Sequence, residues 1–146
     1  MISFKISVIS TLSIWVLLLS NIALSTETIN SYKIGDTGPL GGKVYFIDKS
    51  GEHGLEAKTT DESNSVNWNE ALTVAKANNA DWHLPTKTEL KLLYEQRNSV
   101  GGFTKDDYWS STELDSNSAW IHGFLNGDQD RYNKYSKLKV RAVRSF

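Results

Sequence analysis

The chain contains no cysteine among its 146 residues, and only two prolines and one methionine. The absence of cysteine excludes disulfide bonds, thiol nucleophiles, cysteine-rich zinc sites and a lipid anchor attached to a cysteine. A chain of this length has the size of one ordinary domain and buries enough surface to fold without covalent cross-links. We therefore expect a single domain whose stability comes from its hydrophobic core.

The chain also lacks a large excess of either charge, since it has 16 basic and 17 acidic residues and a formal net charge of −1. This balance is not typical of nucleic-acid-binding proteins, so we expect no nucleic acid partner. The charge is nevertheless uneven along the chain. From residue 131 onward there is no acidic residue, and the six basic residues are Arg131, Lys134, Lys137, Lys139, Arg141 and Arg144.

This basic segment has two alternative interpretations. If its side chains cluster, they form a site for a sulfated or carboxylated polysaccharide, an anionic lipid or an acidic protein. If they do not, Lys139 and Arg141 line a solvated face of the last strand, paired with nearby carboxylates. Two tyrosines lie in the same polar segment, and we expect their rings to be exposed. The predicted ligand-binding residues are Arg131, Tyr132, Lys134, Tyr135 and Lys137.

A single long apolar run is present, and it lies near the N-terminus. Residues 6–19 are apolar apart from serine and threonine, and Ala23 and Ser25 supply the small residues that signal peptidase accepts. This pattern predicts a signal peptide at residues 1–25 and a secreted or periplasmic protein. The alternative is an uncleaved membrane anchor, which would be the chain's only membrane contact. We expect an extended lead-in at residues 26–33 and a domain at residues 34–146.

The strands are predicted near both ends of this domain. Residues 43–48 have the β-branched and aromatic content of a strand, and residues 55–58 form its return strand after a hairpin. Asn126-Gly127 is a strong hairpin dipeptide, because both central positions of that turn need positive φ. Residues 138–144 alternate in polarity and form the last predicted strand. Further strands are predicted at residues 108–112 and 119–125.

Two helices are predicted in the middle of the chain. Asn67 and Thr86 each stand three residues before a glutamate, which is the spacing of a capping box. We expect the first helix to end at Asn78 and the second at Gly101. Helices in the middle, with an antiparallel sheet built from both ends, indicate an α+β domain.

The four tryptophans of the domain are predicted to form the core. Trp68, Trp82, Trp109 and Trp120 stand in segments with helix or strand signals, and a buried indole contributes a large apolar area to a small core. The alternative is a sugar-binding platform, because an aromatic face stacks on the apolar face of a pyranose ring. Burial of each indole distinguishes the two interpretations.

Catalytic and metal-binding patterns are weak. His53, His83 and His122 are far apart in sequence, and no two have the spacing of zinc ligands. A hydrolase using acidic pairs, such as Asp106 with Asp107 or Asp128 with Asp130, is the least favoured hypothesis. We therefore predict no catalytic residues, no enzyme activity and no cofactor.

A weak calcium candidate lies in the hairpin near residue 127. Its alternating oxygen donors are Asn126, Asp128 and Asp130. The segment does not follow the EF-hand rule, because glycine is missing after Asp130 and Lys137 stands where the bidentate glutamate belongs. A plain hairpin is the favoured interpretation of these residues.

Several short segments, in fixed order, carry a family resemblance. They are residues 34–39 (Ile-Gly-Asp-Thr-Gly-Pro), 54–57 (Gly-Leu-Glu-Ala), 68–71 (Trp-Asn-Glu-Ala), 84–86 (Leu-Pro-Thr), 108–113 (Tyr-Trp-Ser-Ser-Thr-Glu) and 140–144 (Val-Arg-Ala-Val-Arg). On these segments, the chain from about Tyr32 to its C-terminus resembles the bacterial Lcl C-terminal domain family.

The resemblance implies a fold similar to C-type lectins, with two helices, a small antiparallel sheet closed by both chain ends, and long irregular loops. It also implies adhesion or carbohydrate binding. Two departures matter. Pro85 is flanked by Leu84 and Thr86 rather than by the polar residues of the calcium-dependent sugar site. Formylglycine-generating enzymes, which have a similar fold, need cysteine, and this chain has none.

Together these observations predict an exported, non-enzymatic binding module at the bacterial cell surface or envelope. Its expected role is adhesion or carbohydrate recognition, with an acidic or neutral glycan as the ligand. The alternative is a structural or assembly protein of the envelope that recognises a protein partner.

Overall fold

The computed structural model describes residues 31–77 and 81–146. The predicted signal peptide at residues 1–25, most of the lead-in at residues 26–33 and Asn78 lie outside the described residues. The first helix was predicted to end at Asn78, but it already ends at Val74. Within the described ranges, no helix is long and apolar enough to span a bilayer.

The described chain folds as an α+β domain, as predicted. In chain order the elements are β1 (Lys43–Ile47), β2 (Gly54–Ala57), α1 (Trp68–Val74), α2 (Lys87–Glu95), α3 (Arg97–Val100), β3 (Asp107–Glu113), β4 (Ser118–Gly123), β5 (Gln129–Asn133) and β6 (Val143–Ser145). The described strands form two three-stranded antiparallel sheets, ordered β1-β2-β6 and β3-β4-β5. The prediction of two helices and one small sheet was therefore too simple.

Both predicted helix starts are confirmed. Asn67 accepts a hydrogen bond from the backbone N–H of Glu70, whose carboxylate accepts from the backbone N–H of Asn67. Thr86 and Glu89 form the same reciprocal pair at the start of α2. Each capping box satisfies two amide groups that would otherwise lack acceptors, which fixes the first turn of the helix.

The predicted second helix is divided in two. Gln96 leaves the helical conformation, with φ of −100° and ψ of 12°, so α2 ends at Glu95 and α3 adds a single turn. Gly101 then ends α3 with a positive φ of 75°. Periodicity predicted one continuous helix, because a single non-helical residue changes the hydrophobic spacing very little.

The last strand is shorter than predicted. Only Val143–Ser145 pairs with β2, whereas Leu138 and Lys139 make isolated bridges to Val66 and Tyr108. Residues 138–142 thus cross between the two sheets, where their side chains meet groups from several segments. This crossing is the reason that simple alternation does not describe which of them are exposed.

Two clusters of apolar side chains form the core, one on each side of the β3-β4-β5 sheet. The first lies under α1 and contains Trp68, Ala71, Ala75, Trp82, Leu84, Trp109, Ala119, Ile121, Val140 and Ala142. The second lies under α2 and contains Tyr45, Ala57, Leu90, Leu93, Val100, Tyr108, Phe124 and Val143.

Three of the four tryptophans are core residues, as predicted. Trp68, Trp82 and Trp109 are buried. The indole N–H of Trp68 donates to the Ser110 carbonyl at 2.8 Å, and that of Trp109 donates to the Val66 carbonyl at 3.0 Å. These bonds satisfy the polar edge of each buried ring. Trp120 is only half-buried, so the prediction of a core position was wrong for this residue.

Candidate functional site

The structure separates the five predicted ligand-binding residues into exposed and buried members. Arg131 and Tyr132 lie in β5, the edge strand of its sheet, and both are exposed. Tyr135 and Lys137 are exposed in the segment that follows, with Tyr135 82% accessible. Lys134 is buried. The exposed members therefore come from one edge strand and the turn after it.

Arg131 and Tyr132 border a groove of about 360 Å³ at the turn that joins β3 to β4. We call it the β5 groove, and its lining residues are Asp115, Ser116, Asn117, Ser118, Arg131, Tyr132 and Asn133. The lining is polar apart from one tyrosine ring, which is 43% exposed. A groove of this composition offers hydroxyl, amide and guanidinium donors beside an aromatic surface.

Asp115 stabilises the turn that forms one side of the β5 groove. Its carboxylate accepts hydrogen bonds from the backbone N–H groups of Asn117 and Ser118, both at 2.8 Å, and from the Ser118 hydroxyl at 2.7 Å. The Ser118 hydroxyl and these N–H groups lower the pKa of Asp115. The turn is thus fixed by an ionised carboxylate whose hydrogen bonds are made within the turn.

The face of the sheet that carries Arg131 also carries a half-buried indole and a second cation. Arg131 is the cross-strand partner of Trp120, so the two side chains share a face of the sheet. On the same indole, Lys87 Nζ lies 3.0 Å from the ring centroid, a close cation–π contact. The Gln129 amide donates to the Lys87 carbonyl at 2.9 Å, which ties the start of α2 to β5.

The other face of β5 carries Tyr132. Its cross-strand partner is Ala119, and its ring meets Trp109 edge to face at 6.5 Å between centroids. The buried indole therefore supports the ring from below while much of its surface stays open to solvent. We define the β5 surface as Lys87, Trp120, Arg131 and Tyr132, a set with an aromatic ring on each face of the sheet and both cations on the Trp120 face.

Lys87 was not among the predicted binding residues, and Trp120 was predicted to be a core residue, with a sugar-binding platform as the alternative. A signal was present in β4, because Ala119 and Ile121 are small or aliphatic and Trp120 alternates with them. Since Ala119 and Ile121 face the first core cluster, Trp120 has to face the opposite side. The position of Lys87 over the ring depends on the docking of α2, which alternation along β4 does not predict.

Lys134 is a buried structural residue rather than an exposed one. Its Nζ donates to Glu113 Oε1 at 2.6 Å and to the Asp115 carbonyl at 2.8 Å, and it lies 4.5 Å from the centroid of the Trp68 ring. All of these contacts would have to break for Lys134 to reach a ligand. Its prediction as a ligand-binding residue is therefore not supported by its position.

Arg141 lies in the interior, which contradicts the interpretation that it lines a solvated strand face. Its side chain is fully buried. It donates to Asp61 Oδ1 at 2.8 Å, to the Lys58 carbonyl at 2.9 Å and to the Gly102 carbonyl at 2.6 Å. Tyr108 donates to the other Asp61 oxygen at 2.7 Å. Burial is the main cause that raises the pKa of Tyr108 to about 12, so this hydroxyl stays protonated.

The calcium candidate does not form a set of convergent donors. The Asn126 amide nitrogen donates to Asp128 Oδ2 at 2.6 Å, so Asn126 turns its nitrogen rather than its oxygen toward the carboxylate. Asp130 lies in β5 opposite Ile121. Gly127 has a φ of 84°, and the Gly123 N–H donates to the Asp128 carbonyl at 2.9 Å. The segment is therefore a hairpin, but with a four-residue loop rather than a turn centred on Asn126 and Gly127. Among the residues that the structure describes, no group of three or more His, Cys, Asp or Glu is placed to hold a metal ion.

The three histidines lie in different environments. His53 is exposed in the turn before β2. His83 Nε2 lies 3.3 Å from Glu89 Oε1, and this hydrogen bond is the main cause that raises the pKa of His83. His122 is buried, and neither ring nitrogen has a hydrogen-bond partner among the described residues. Its ring packs against Tyr94 at 4.6 Å between centroids, and burial lowers its pKa.

The acidic pair Asp106 and Asp107 lies at the start of β3. Burial, followed by the charges of Asp106 and Asp130, raises the pKa of Asp107. Asp130 Oδ1 accepts from the backbone N–H of Arg131 at 2.7 Å. Asp106 and Asp107 lie at the end of the sheet opposite the β5 groove, since Asp107 pairs with Gly123 and Glu113 pairs with Ala119, whereas Asp130 directly precedes the groove residue Arg131.

The fold and the β5 surface define a small, cysteine-free α+β domain with an aromatic and cationic edge. A model of the Lcl C-terminal domain family matches residues 49–144. The chain therefore belongs to the Lcl C-terminal domain family, as its ordered segments suggested. No curated protein matches the chain.

Proposed function

We propose that this domain is a non-enzymatic recognition module, with adhesion or carbohydrate binding as its role and the β5 surface as its contact site. One observation carries the proposal: the half-buried Trp120 ring lies under Lys87 and beside Arg131 on an exposed edge strand. Sugar rings stack on aromatic faces; here Lys87 would have to move aside from the indole face that it covers, and the two cations would then bind carboxylate or sulfate groups of the sugar.

Acidic glycans fit this surface better than neutral ones. The Arg131 guanidinium makes no hydrogen bond or ion pair with another side chain in the described part of the chain, so its planar donors are available to an oxyanion. Asp115 is the one carboxylate in the β5 groove, and its oxygens are occupied by the turn that it stabilises. The groove lining therefore contains one anionic group, which is engaged by its own turn, and one exposed guanidinium with free donors.

The proposal includes export of the domain from the cytoplasm. Residues 1–25 would direct the chain to the periplasm or the exterior and would be removed after Ser25. A C-type lectin-like arrangement of the domain is part of the same proposal, and it is supported by β6 pairing with the N-terminal hairpin in one sheet. Mass spectrometry of the protein recovered from the producing cell tests export, since a mature N-terminus other than Thr26 would contradict the cleavage site.

The binding test uses two charge-reversal variants of equal net charge. Arg131→Glu with Lys137→Glu alters the exposed cations of β5 and the following turn, whereas Lys49→Glu with Lys76→Glu alters exposed lysines elsewhere. We expect the first variant to elute from immobilised heparin at clearly lower salt, and the second to elute close to the unmodified protein. Equal elution of the two variants would contradict a role for the β5 surface.

A screen against neutral and acidic glycans extends the test. We expect Trp120→Ala to weaken every glycan that binds, because the stacking surface is lost for both classes. Failure of all glycans to bind at micromolar protein would contradict carbohydrate recognition itself.

A protein partner is the second candidate, and the position of β5 favours it. Its outer edge pairs with no other described strand, and an exposed edge is a template for strand addition by another chain. Pull-down from envelope extracts separates the candidates. A stoichiometric protein partner that soluble acidic polysaccharide does not displace would favour protein recognition over glycan recognition.

A further inference from the structure

A second groove, which shares no lining residue with the β5 groove, lies between α3 and the loop before β3. Its volume is about 340 Å³. We call it the α3 groove, and its lining residues are Arg97, Asn98, Gly101, Gly102, Phe103, Thr104, Lys105 and Phe124. The lining contains two cations and two aromatic rings but no carboxylate. Asp106 and Asp107 follow Lys105 in the chain, yet neither borders the groove.

The backbone beside the groove contains two amide N–H groups that have no acceptor in the described chain. The Gly101 and Gly102 carbonyls both accept from the buried Arg141 guanidinium, at 3.2 and 2.6 Å. In a trans peptide the N–H points away from the carbonyl, so the N–H groups of Gly102 and Phe103 point away from Arg141. Within the described chain, neither of these N–H groups donates to a backbone or side-chain acceptor.

Positive φ makes this arrangement of carbonyls possible. Gly101 and Gly102 have φ of 75° and 73°, a region that side-chain-bearing residues rarely adopt. Two successive carbonyls can therefore meet one guanidinium, which leaves two successive N–H groups on the other side. Both N–H groups are therefore available to one anion, and the positive charge of Arg141 lies behind them.

The cations of the α3 groove differ in rigidity. Arg97 donates one hydrogen bond to the Tyr94 carbonyl at 2.9 Å, and its guanidinium stacks 4.0 Å from the Tyr94 ring centroid. These contacts hold the side chain in place and leave its other N–H groups available. Lys105 is exposed and forms no ion pair in the described chain, so it adds a mobile charge at the rim.

Apolar surface adjoins these donors. Phe103 and Phe124 lie 4.7 Å apart between ring centroids, and Phe103 also covers the Arg141 guanidinium at 3.9 Å. Phe103 is half-buried, so part of its ring remains open to a ligand. We propose that the α3 groove binds a carboxylate attached to an apolar or aromatic group, as found at the C-terminus of a peptide and in small aromatic acids.

The test compares matched probes that differ only in charge. N-acetylphenylalanine carries the carboxylate and the ring, and its primary amide has the same shape without the charge. We expect the acid to shift the ¹⁵N–¹H signals of Gly102 and Phe103 in the full domain, with the amide producing no saturable shift. Absence of a shift at about 10 mM acid, the weak end of small-ligand affinities, would overturn the proposal. An equal shift with the amide would do the same.

Variants and a second set of probes complete the experiment. We expect Lys105→Glu to weaken the acid by about fivefold or more, while Lys49→Glu, an equal charge change on a distant hairpin, leaves the affinity unchanged. Equal weakening by both variants would overturn the site. Comparing 3-phenylpropionate with an acetylated tetrapeptide ending in phenylalanine identifies the source. Tighter binding of the tetrapeptide assigns the groove to peptide C-termini, and equal binding assigns it to small acids.

Discussion

Arg131 and Arg141 belong to the same basic segment, and the fold uses them in opposite ways. Arg141 is fully buried and donates to one carboxylate and to carbonyls from two distant loops. Arg131 is exposed on an edge strand beside Trp120 and makes no side-chain hydrogen bond in the described structure. The first guanidinium holds three segments together, and the second is available to a ligand.

The difference shows that local charge does not distinguish a structural cation from a recognition cation. A buried guanidinium requires compensation for lost hydration, so its acceptors have to be supplied by the fold. An exposed guanidinium remains hydrated and needs no partner. A cation whose donors are already bonded to protein acceptors is therefore structural, and one whose donors are free can bind a ligand. Measuring the stability of variants at both arginines tests this distinction.

The largest expected effect is that of Arg141→Met. This change leaves the Asp61 carboxylate and several carbonyls without their donor, so we expect a loss of about 3–5 kcal/mol in the free energy of unfolding. Urea denaturation measures it. A loss below about 1 kcal/mol would mean that the network contributes little and would remove the contrast with Arg131.

The next largest difference is expected between Trp109 in β3 and Trp120 in β4. Trp109 is fully buried, and we expect Trp109→Ala to cost about 3 kcal/mol or more. Trp120 is half-buried, so Trp120→Ala should cost clearly less while weakening ligand binding. Thermal and urea unfolding of both variants provide the comparison, and equal losses would show that Trp120 also serves mainly the core.

Lys134 and Lys137 form a matched pair within the basic segment. Lys134→Met removes the donor to Glu113 and to two carbonyls, and we expect a loss of about 1–3 kcal/mol. For Lys137→Met, which changes an exposed side chain, the expected change is within about 0.5 kcal/mol. Unfolding of both variants at the same denaturant concentration would contradict a structural role for Lys134 that Lys137 does not share.

Acidic pH should weaken the domain through His122. Burial lowers its pKa in the folded state below the ordinary value of 6.5, so the unfolded chain binds the proton more tightly. Stability therefore falls as the pH drops below about 6.5, by at most about 1.4 kcal/mol per pH unit for one proton. The charged residues around the ring are Lys91, Glu95, Arg97 and Asp128.

His122→Phe isolates this contribution. His83 has the opposite shift, with a raised pKa that favours the folded state at low pH, but it is present in both proteins. We expect the difference in unfolding free energy between the variant and the unmodified protein to move in favour of the variant from pH 7.5 to 5.0. Parallel pH profiles would show that His122 is hydrated or paired in solution.

The smallest expected effect is that of Arg131→Met on stability. Because the side chain is exposed and unpaired in the described chain, the free energy of unfolding should change by no more than about 0.5 kcal/mol. Heparin retention should nevertheless fall. A stabilising or destabilising effect above 1 kcal/mol would mean that Arg131 belongs with Arg141 among the structural residues.

Much of the fold could be predicted because its signals are local. Both capping boxes, the first hairpin and the hairpin that contains Asn126-Gly127 depend on residues within a few positions of one another. The break at Gln96 was missed, since one non-helical residue leaves the hydrophobic period almost unchanged. The second sheet was missed as well, because strand composition does not state which strands pair.

The candidate site was predicted only in part. Arg131, Tyr132, Tyr135 and Lys137 are exposed where the sequence placed them, whereas Lys134 is held by Glu113 and by carbonyls of the β3-β4 turn. Those acceptors lie about twenty residues earlier in the chain. No local pattern around residue 134 predicts these acceptors. The sequence therefore could not show that Lys134 is buried while the neighbouring basic residues are exposed.

The amino-acid sequence alone determined the cysteine-free α+β class, the helix starts and the family, because each depends on residue types or on spacing along the chain. Tertiary structure alone decided that Arg141 is enclosed by Asp61, Lys58 and Gly102, and that Trp120 lies half-open under Lys87. Burial is a property of segments that are distant in sequence and adjacent in space. Charge and periodicity within one segment therefore cannot specify it.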